Sequence, residues 1–168
     1  NNVDILEDIV DKKVEWVLDP TLLLSEKDWD KVCSSRIINQ KYAFCYFLGS
    51  NREQFDAAWE YAQKKNLKIV FIPSSDKIDD YGEDDNIIVE NNASPADFLS
   101  FIKYAEVIFT DSFHACVFSH IYNKNFFVFE RAEFPSMKTR IESLLGIFNT
   151  EDRFISKETE IWGKDETI

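Results

Sequence analysis

The sequence predicts an α/β fold: a Rossmann-like, three-layer α/β/α domain built on a mostly parallel sheet. Apolar runs of strand length alternate four times with stretches whose apolar residues have helical spacing. That order is typical of parallel strands joined by right-handed crossovers. Residues 42–48 are apolar at every position, which indicates a strand covered on both faces. With 168 residues, 45% of them hydrophobic, the chain is long enough to bury one such core.

The segment before the sheet is predicted to form a helix, a strand and a second helix. Helical spacing of apolar residues predicts the first helix over residues 3–10. Imperfect alternation predicts a strand over residues 14–18, which Pro20 ends because proline cannot donate to a ladder. Ser25 and Asp28 have the spacing of a capping box that begins the second helix. The predicted buried face of that helix contains Trp29, Val32 and Cys33.

Three units follow from this pattern. Residues 1–40 are predicted to be a linker or the end of an N-terminal domain, residues 41–155 the Rossmann-like domain, and residues 156–168 a polar tail. The strands are predicted over residues 42–48, 67–72, 107–109 and 126–129, with a further short strand at 87–89. Capping boxes begin two of the helices, and they pair Ser50 with Glu53 and Ser94 with Asp97. The other two helices are predicted over residues 112–122 and from the spacing of Ile141, Leu144, Leu145 and Phe148.

Composition excludes several classes of partner. The net charge of −12, from 19 basic and 31 acidic residues, disfavours nucleic acid and anionic membrane surfaces. No apolar run reaches the ~18 residues of a transmembrane helix. Cys33, Cys45 and Cys116 are odd in number and lack a CxxC spacing, which favours a reducing, cytoplasmic compartment. The acidic stretch of residues 76–85 does not fit an EF-hand loop and no zinc-ligand pattern occurs, so no metal site is predicted.

The sharpest functional candidate is the turn TDSFHA, residues 110–115, between the third main strand and its helix. The amino end of a helix presents unpaired amides and a partial positive charge, so it can bind an anion. Asp111 or Ser112 is the predicted N-cap, and His114 in the first turn is a candidate proton donor or phosphate ligand. The alternative stays equally open, that Asp111 only caps the helix and His114 is a structural group.

Two arginines after the fourth main strand form a second candidate. Arg140 is predicted near the start of the last helix, where the helix dipole disfavours a cation. A bound phosphate or carboxylate would explain it, and Arg131 is a further candidate for the same anion. The residues alone favour the alternative, a solvated Arg140 paired with Glu142 or Glu133. The loop of residues 49–52 has one glycine, not the three of a dinucleotide fingerprint, and is predicted to cap the next helix.

The sequence contains five segments in this order: VLDPTLLLSEKDW, YAFCYFLG, LKIVFIPSS, FIKYAEVIFTDSFHACVFSHIYNKNFFVF and KTRIESLLGIF. Together they resemble the C-terminal half of the polysaccharide pyruvyl transferase family, over about residues 3–155. Proteins of this family are similar in architecture to GT-B glycosyltransferases, in which two Rossmann-like domains face a cleft. They transfer the enolpyruvyl-derived group of phosphoenolpyruvate to a sugar, usually as a ketal. The resemblance therefore implies one half of a GT-B-like pyruvyltransferase.

The resemblance also implies roles for particular residues. His114 corresponds to the histidine that the family uses in phosphoenolpyruvate binding or catalysis, with Asp111 and Ser112 as its neighbours in the motif. Arg140 matches an arginine in R-I-E-x-L-L, and it would clamp the phosphate or carboxylate of the donor, with Arg131 as a second candidate for that clamp. This scheme needs neither a metal nor a cofactor. Ala115 departs from the family, which commonly has glycine there, and its methyl group would crowd a ligand if the turn faced the cleft.

The resemblance implies a bacterial, cytoplasmic transferase of surface or exopolysaccharide biosynthesis. Its partners would be phosphoenolpyruvate, a sugar or polysaccharide-precursor acceptor and the N-terminal domain of the same protein. We expect the chain alone to be inactive, because that domain would supply the acceptor side of the cleft. Two alternatives stay open: a GT-B-type glycosyltransferase domain using a nucleotide sugar, and a non-catalytic ligand-binding domain of the same fold.

Overall fold

The described residues form one parallel sheet of six strands. The computed structural model describes residues 2–15, 17–49, 52–73, 84–131, 136–156 and 161. The strands are β1 (Tyr42–Tyr46), β2 (Lys68–Phe71), β3 (Ile87–Val89), β4 (Val107–Thr110), β5 (Phe126–Phe129) and β6 (Phe154–Ile155). They lie in the order β3-β2-β1-β4-β5-β6, and each neighbouring pair is parallel. The predicted α/β fold with a parallel sheet is confirmed.

Helices connect and cover these strands. They are α1 (Asn2–Val10), α2 (Glu26–Trp29), α3 (Arg52–Lys64), α4 (Pro95–Tyr104), α5 (Phe113–Ile121) and α6 (Ser136–Phe148), with short 3-10 helices at Pro20–Leu23 and Glu151–Arg153. The capping boxes predicted for Ser25 with Asp28 and for Ser94 with Asp97 are both present. Ser50, which the third predicted box requires, lies outside the described residues.

Apolar side chains fill both faces of the sheet. Along β1, Phe44 belongs to one core cluster, whereas Ala43 and Cys45 belong to the other, because successive side chains of a strand point to opposite faces. Residues of α4, α5 and α6 complete the first cluster, and residues of α3 complete the second. The unbroken apolarity of residues 42–48 therefore reflects burial on two sides, as predicted.

The segment before the sheet differs from its prediction in two respects. The described part of residues 14–18 forms no strand, and Val17 is 74% exposed. Pro20 instead begins a 3-10 helix, a position that suits its fixed φ and its missing amide hydrogen. The second helix, α2, is a single turn: Trp29 and Cys33 pack against the core, but Val32 is exposed. The predicted buried face is therefore wrong at Val32.

The last described residues include a short strand, β6, and the buried side chain of Ile161. β6 pairs with Val128 and Phe129 of β5, and Ile161 is buried in the same cluster as Ile155. The sequence does not predict β6, because two residues carry no readable alternation. The division into three units at residues 40 and 156 stays a prediction.

The strand order reverses beside β1, and this reversal positions the candidate site. The chain runs from β1 to β2 and β3 on one side, and β4 then joins β1 on its other side. In open α/β sheets, such a reversal leaves a crevice outside the carboxyl ends of the two central strands, where ligands bind. The turn of residues 110–115 lies at this point, since it follows β4 directly.

Candidate functional site

A cavity of about 380 Å³ opens at the carboxyl ends of the central strands. We call it the switch-point cavity. Its lining comes from strand ends and from the first residues of two helices, and includes Tyr46, Leu48, Ile72, Ser94, Pro95, Ser112 and His114. The general rule for open α/β sheets therefore holds here as a geometric fact: the crevice exists, and the predicted TDSFHA turn contributes to its wall.

The amino end of α5 has backbone amides that are available to a hydrogen-bond acceptor. Ser112 is the N-cap, and its own amide donates to Oγ1 of Thr110 at 3.0 Å. Within the described part of the chain, the amides of Phe113, His114 and Ala115 have no hydrogen-bond acceptor. Unpaired amides at a helix start, together with the positive end of the dipole, favour an anion.

The other helix that starts at the cavity is already occupied by a carboxylate. Oδ2 of Asp97 accepts the amide of Ser94 at 3.0 Å and its hydroxyl at 2.7 Å. A second anion at the start of α4 would be repelled by this carboxylate. Of the two helix starts at the cavity, that of α5 is therefore the better place for an anionic ligand.

His114 lies in the first turn of α5, as predicted, and its side chain is 53% exposed. It lines the switch-point cavity. Its Nε2 atom lies 3.7 Å from Oδ2 of Asp19, and its ring meets the Phe113 ring edge-on at 5.4 Å. An exposed imidazole at the rim of a cavity can exchange a proton with a bound ligand.

Asp111 is buried beneath the turn and does not cap α5. Its Oδ1 accepts the amide of Leu48 at 2.7 Å, and its Oδ2 accepts the amide of Gly49 at 2.8 Å. The side chain has no solvent exposure. Both oxygens are thus engaged by the loop after β1, so Asp111 joins the ends of β1 and β4. Its predicted part in substrate binding stays a prediction.

Arg131 packs behind the same turn. Its Nε lies 3.4 Å from Oδ2 of Asp111, and one Nη atom donates to the Asp111 carbonyl at 3.2 Å. The Arg131 side chain is 11% exposed. The structure therefore brings Arg131 together with Asp111, and not with His114 or Arg140.

Arg140, in α6, is held on two sides. Its guanidinium lies 3.8 Å from the centroid of the Phe113 ring, and one Nη atom lies 3.3 Å from Oδ2 of Asp19. The acidic partner that the described residues show is Asp19 and not Glu142, whereas Glu133 lies outside the described residues. Arg140 and Asp19 also line a second cleft of about 450 Å³ between residues 17–22 and α6.

Asp19 is the site residue that sequence reasoning missed. It stands next to Pro20, and its position there was sufficient to explain it as the end of a strand. Burial raises the pKa of the Asp19 carboxyl, but hydrogen bonds from Thr21 and the charges of His114 and Arg140 outweigh burial and hold this pKa below its usual value. The available signal was its place in VLDPTLLLSEKDW, one of the five segments that carry the resemblance.

The described residues contain no cluster of three or more His, Cys, Asp or Glu side chains that could hold a metal ion. Among the helices that the structure describes, none combines the length and the apolarity of a membrane span. Cys33, Cys45 and Cys116 are all free.

Comparison with known proteins gives a family and a fold. A family model described as polysaccharide pyruvyl transferase matches residues 3–133. This range contains Asp19, the TDSFHA turn and Arg131, and it ends before Arg140. None of the curated proteins matches the chain significantly.

Solved structures of UDP-GlcNAc 2-epimerases are similar in fold. One from Methanocaldococcus jannaschii has a TM-score of 0.52 at 15% identity, over 83% of this chain and 41% of that one. Another structure from that organism, with UDP-GlcNAc and UDP, has a TM-score of 0.46 at 15% identity, over 70% of this chain and 40% of that one. A putative enzyme of this type from Listeria monocytogenes has a TM-score of 0.40 at 12% identity, over 83% and 41% of the two chains. This chain thus spans about 40% of the length of these structures, and the first likeness supports a Rossmann-like, GT-B-like fold.

Proposed function

The chain belongs to the polysaccharide pyruvyl transferase family, and from this we propose that it binds phosphoenolpyruvate and serves in transfer of its pyruvyl group to two hydroxyls of a sugar. The observation that supports the proposal most directly is the switch-point cavity. Ser112 and the imidazole of His114 line this cavity, and they belong to the start of α5, where three amides are unpaired among the described residues. Hydrogen-bond donors for the phosphate group and a proton donor for the enol carbon are the two kinds of group that this substrate requires.

The chemistry assigns a task to each group. Protonation of the methylene carbon of phosphoenolpyruvate creates an oxocarbenium-like centre at C2, to which the first sugar hydroxyl adds. The second hydroxyl then displaces phosphate, and the products are a ketal and inorganic phosphate. His114 supplies the first proton, and the α5 amides carry the charge of the phosphate group. The two hydroxyl protons restore His114 and accompany the phosphate, so the protons balance.

Arg140 is the proposed partner of the donor carboxylate. Its guanidinium is half exposed and is fixed against Phe113, the neighbour of His114 in sequence. Bidentate contact with a carboxylate is the interaction for which a fixed guanidinium is best suited. Ser112 lines the cavity and its side chain makes no capping hydrogen bond, so its hydroxyl is the proposed further ligand of phosphate. Asp111 and Arg131 support the turn from behind.

The broader setting is part of the same proposal. We place the reaction in bacterial surface or exopolysaccharide biosynthesis, with a polysaccharide precursor as the acceptor and an N-terminal domain supplying its binding surface. Three free cysteines fit a cytoplasmic location. The proposed scheme uses neither a metal nor an organic cofactor.

Thermal unfolding with ligands tests the donor site on this chain. Phosphoenolpyruvate at a hundredfold above its dissociation constant should stabilise the native state by ~2.7 kcal/mol, a rise of a few degrees in Tm. The rise should vanish in His114→Ala and persist in His120→Gln, which changes the other histidine of the same helix. UDP-GlcNAc and inorganic phosphate serve as comparison ligands.

The outcomes separate the candidate functions. A rise with phosphoenolpyruvate that is lost in His114→Ala supports the donor site. A rise with UDP-GlcNAc alone favours the nucleotide-sugar glycosyltransferase. No rise with either ligand contradicts a donor site formed by this chain alone. In an active transferase that contains this chain, His114→Ala should abolish ketal formation, and retained transfer would overturn the assignment.

A further inference from the structure

The carboxylate of Asp19 links His114 and Arg140, the two side chains proposed to act on the donor. Oδ2 of Asp19 lies 3.7 Å from Nε2 of His114 and 3.3 Å from an Nη atom of Arg140. Among the described residues, no other acidic side chain lies within 4 Å of either group. Asp19 therefore stands at the boundary between the switch-point cavity, which His114 lines, and the second cleft, which Arg140 lines.

Asp19 is held in place by its own backbone. Its Oδ1 accepts the amide of Thr21 at 3.0 Å, and its carbonyl accepts the amide of Leu22 at 2.9 Å. Pro20 between them restricts the turn further. One carboxylate oxygen is thus committed to the 3-10 helix, and the other is aimed at the two cationic or protonatable side chains. The Asp19 side chain is only 16% exposed.

The two partners of Asp19, His114 and Arg140, both contact the ring of Phe113. The guanidinium of Arg140 stacks on the Phe113 ring, and the imidazole of His114 meets the same ring edge-on. His114 and Arg140 thus share one aromatic contact, Phe113, and one carboxylate, Asp19. A displacement of the carboxylate would therefore release both side chains at once.

We propose that Asp19 is the positioning residue of the site: its Oδ2 keeps the Nε2–H side of His114 turned away from the donor and holds Arg140 over Phe113. The inference rests on the proposed function for its consequence in catalysis, but its structural part concerns this chain alone. Nδ1 of His114 bonds to no described residue, so it is the nitrogen left to exchange a proton with a ligand. At 3.7 Å the two atoms form an ion-pair contact and not a hydrogen bond; contacts of catalytic groups commonly tighten when substrate binds.

A carboxylate on one imidazole nitrogen selects the tautomer and the orientation of the ring. Asp19→Asn is the sharpest change, because asparagine can still accept from Thr21 and is itself a good cap. Its amide nitrogen would face His114 and Arg140, so an acceptor becomes a donor. The variant keeps the local fold but favours the opposite tautomer, with the proton on Nδ1.

Nitrogen-15 NMR of the histidine rings tests the structural part. The sequence has two histidines, and His114→Gln identifies the signals of His114. We expect the neutral ring of His114 to carry its proton on Nε2 in the parent chain and to shift toward Nδ1 in Asp19→Asn. His120 should not change. Asp28→Asn is the matched control, because Asp28 also caps a short helix by accepting a backbone amide but does not contact His114. Unchanged ring signals of His114 in Asp19→Asn would overturn the proposal.

Kinetics of ketal formation in an active transferase that contains this chain test the consequence. Asp19→Asn should lower kcat by about 10- to 100-fold, by analogy with the loss of the partner that orients a metal-bound histidine. The KM for phosphoenolpyruvate should change much less, and Asp28→Asn should leave both constants unchanged. A kcat of Asp19→Asn within about twofold of the parent contradicts the positioning role. Absence of transfer in the parent itself contradicts the proposed function, while the ring signals still decide the role of Asp19.

Discussion

Gly49 lies directly against the carboxylate of Asp111. Its amide donates to Oδ2 at 2.8 Å, and a Cβ atom added at Gly49 would stand 3.0 Å from that same oxygen and 3.0 Å from Cγ of Arg131. The loop after β1 can approach the turn after β4 this closely because residue 49 has no side chain. Beyond the ladder that pairs β1 with β4, this contact holds the loop after β1 against the turn after β4.

Gly49→Ala should therefore destabilise the protein. The new methyl must displace either a buried carboxylate or the stem of a buried arginine, and overpacking of this kind costs about 1–3 kcal/mol. Urea unfolding measures the loss. Gly146→Ala is the control: its Cβ would meet only Oε1 of Glu151 at 3.6 Å, and alanine favours a helix interior by about 1 kcal/mol. Equal stability changes in the two variants would contradict the close approach at Gly49.

Removal of the buried carboxylate itself should cost more. Asp111→Ala leaves the amides of Leu48 and Gly49 and the guanidinium of Arg131 without their acceptor. Breaking one side of a buried ion pair costs about 3–5 kcal/mol. Asp56→Ala offers the matched comparison, because its pair with Arg52 is exposed on both sides and such pairs contribute less than about 1 kcal/mol. If Asp111→Ala lost no more stability than Asp56→Ala in urea, Asp111 would not be the structural link described here.

The sequence predicted the parts of the fold that depend on local pattern. Continuous apolarity identified the buried strands, and side-chain spacing identified the capping box of Ser94 with Asp97. It also placed His114 in the first turn of α5. These features depend on neighbours within about one turn or one strand, so a single sequence carries them.

Contacts between distant segments were not predictable in the same way. Asp19 and Arg140 are 121 residues apart, and no local pattern brings them together. The contact of Arg131 with Asp111 was not predicted, because it depends on the ends of neighbouring strands β4 and β5 meeting at one sheet edge; the part of Arg131 in ligand binding stays a prediction. β6 depends wholly on its pairing with β5. In each case the tertiary structure determines the partner, and the local sequence does not reveal it.

Ala115 faces the core, and this position predicts a stability effect without a ligand effect. Its side chain is fully buried in the cluster that also contains Leu145, and it does not line the switch-point cavity. Ala115→Gly should therefore cost about 1 kcal/mol through lost helix propensity and a small void. Thermal unfolding should show a lower Tm and an unchanged rise with phosphoenolpyruvate. A larger rise in Ala115→Gly would show that the methyl group crowds the ligand after all.

His120 should make the stability of the protein depend on pH. Its ring stacks on Phe148 at 4.1 Å, with Phe126 edge-on at 5.1 Å. Burial, with a smaller contribution from the charge of Arg153, lowers the pKa of His120 to about 4. In the unfolded chain, the pKa returns to about 6.5. Between these two pKa values the unfolded state binds more protons than the native state. The free energy of unfolding should therefore fall as the pH drops from 6.5 to 4, and the contribution of neutral His120 should be fully present above pH 6.5.

Urea unfolding across this pH range isolates the effect of His120. The full pKa shift corresponds to an upper limit of about 3.4 kcal/mol, and the remaining solvent contact of the ring reduces the effect. His120→Gln should flatten the dependence, whereas His114→Gln, which changes the exposed histidine of the same helix, should retain it. Carboxyls with a lowered pKa, such as Asp28 at about 2, lose their contribution below this window. A parent chain and a His120→Gln variant with the same dependence between pH 6.5 and 4 would show that His120 is not held neutral by its burial.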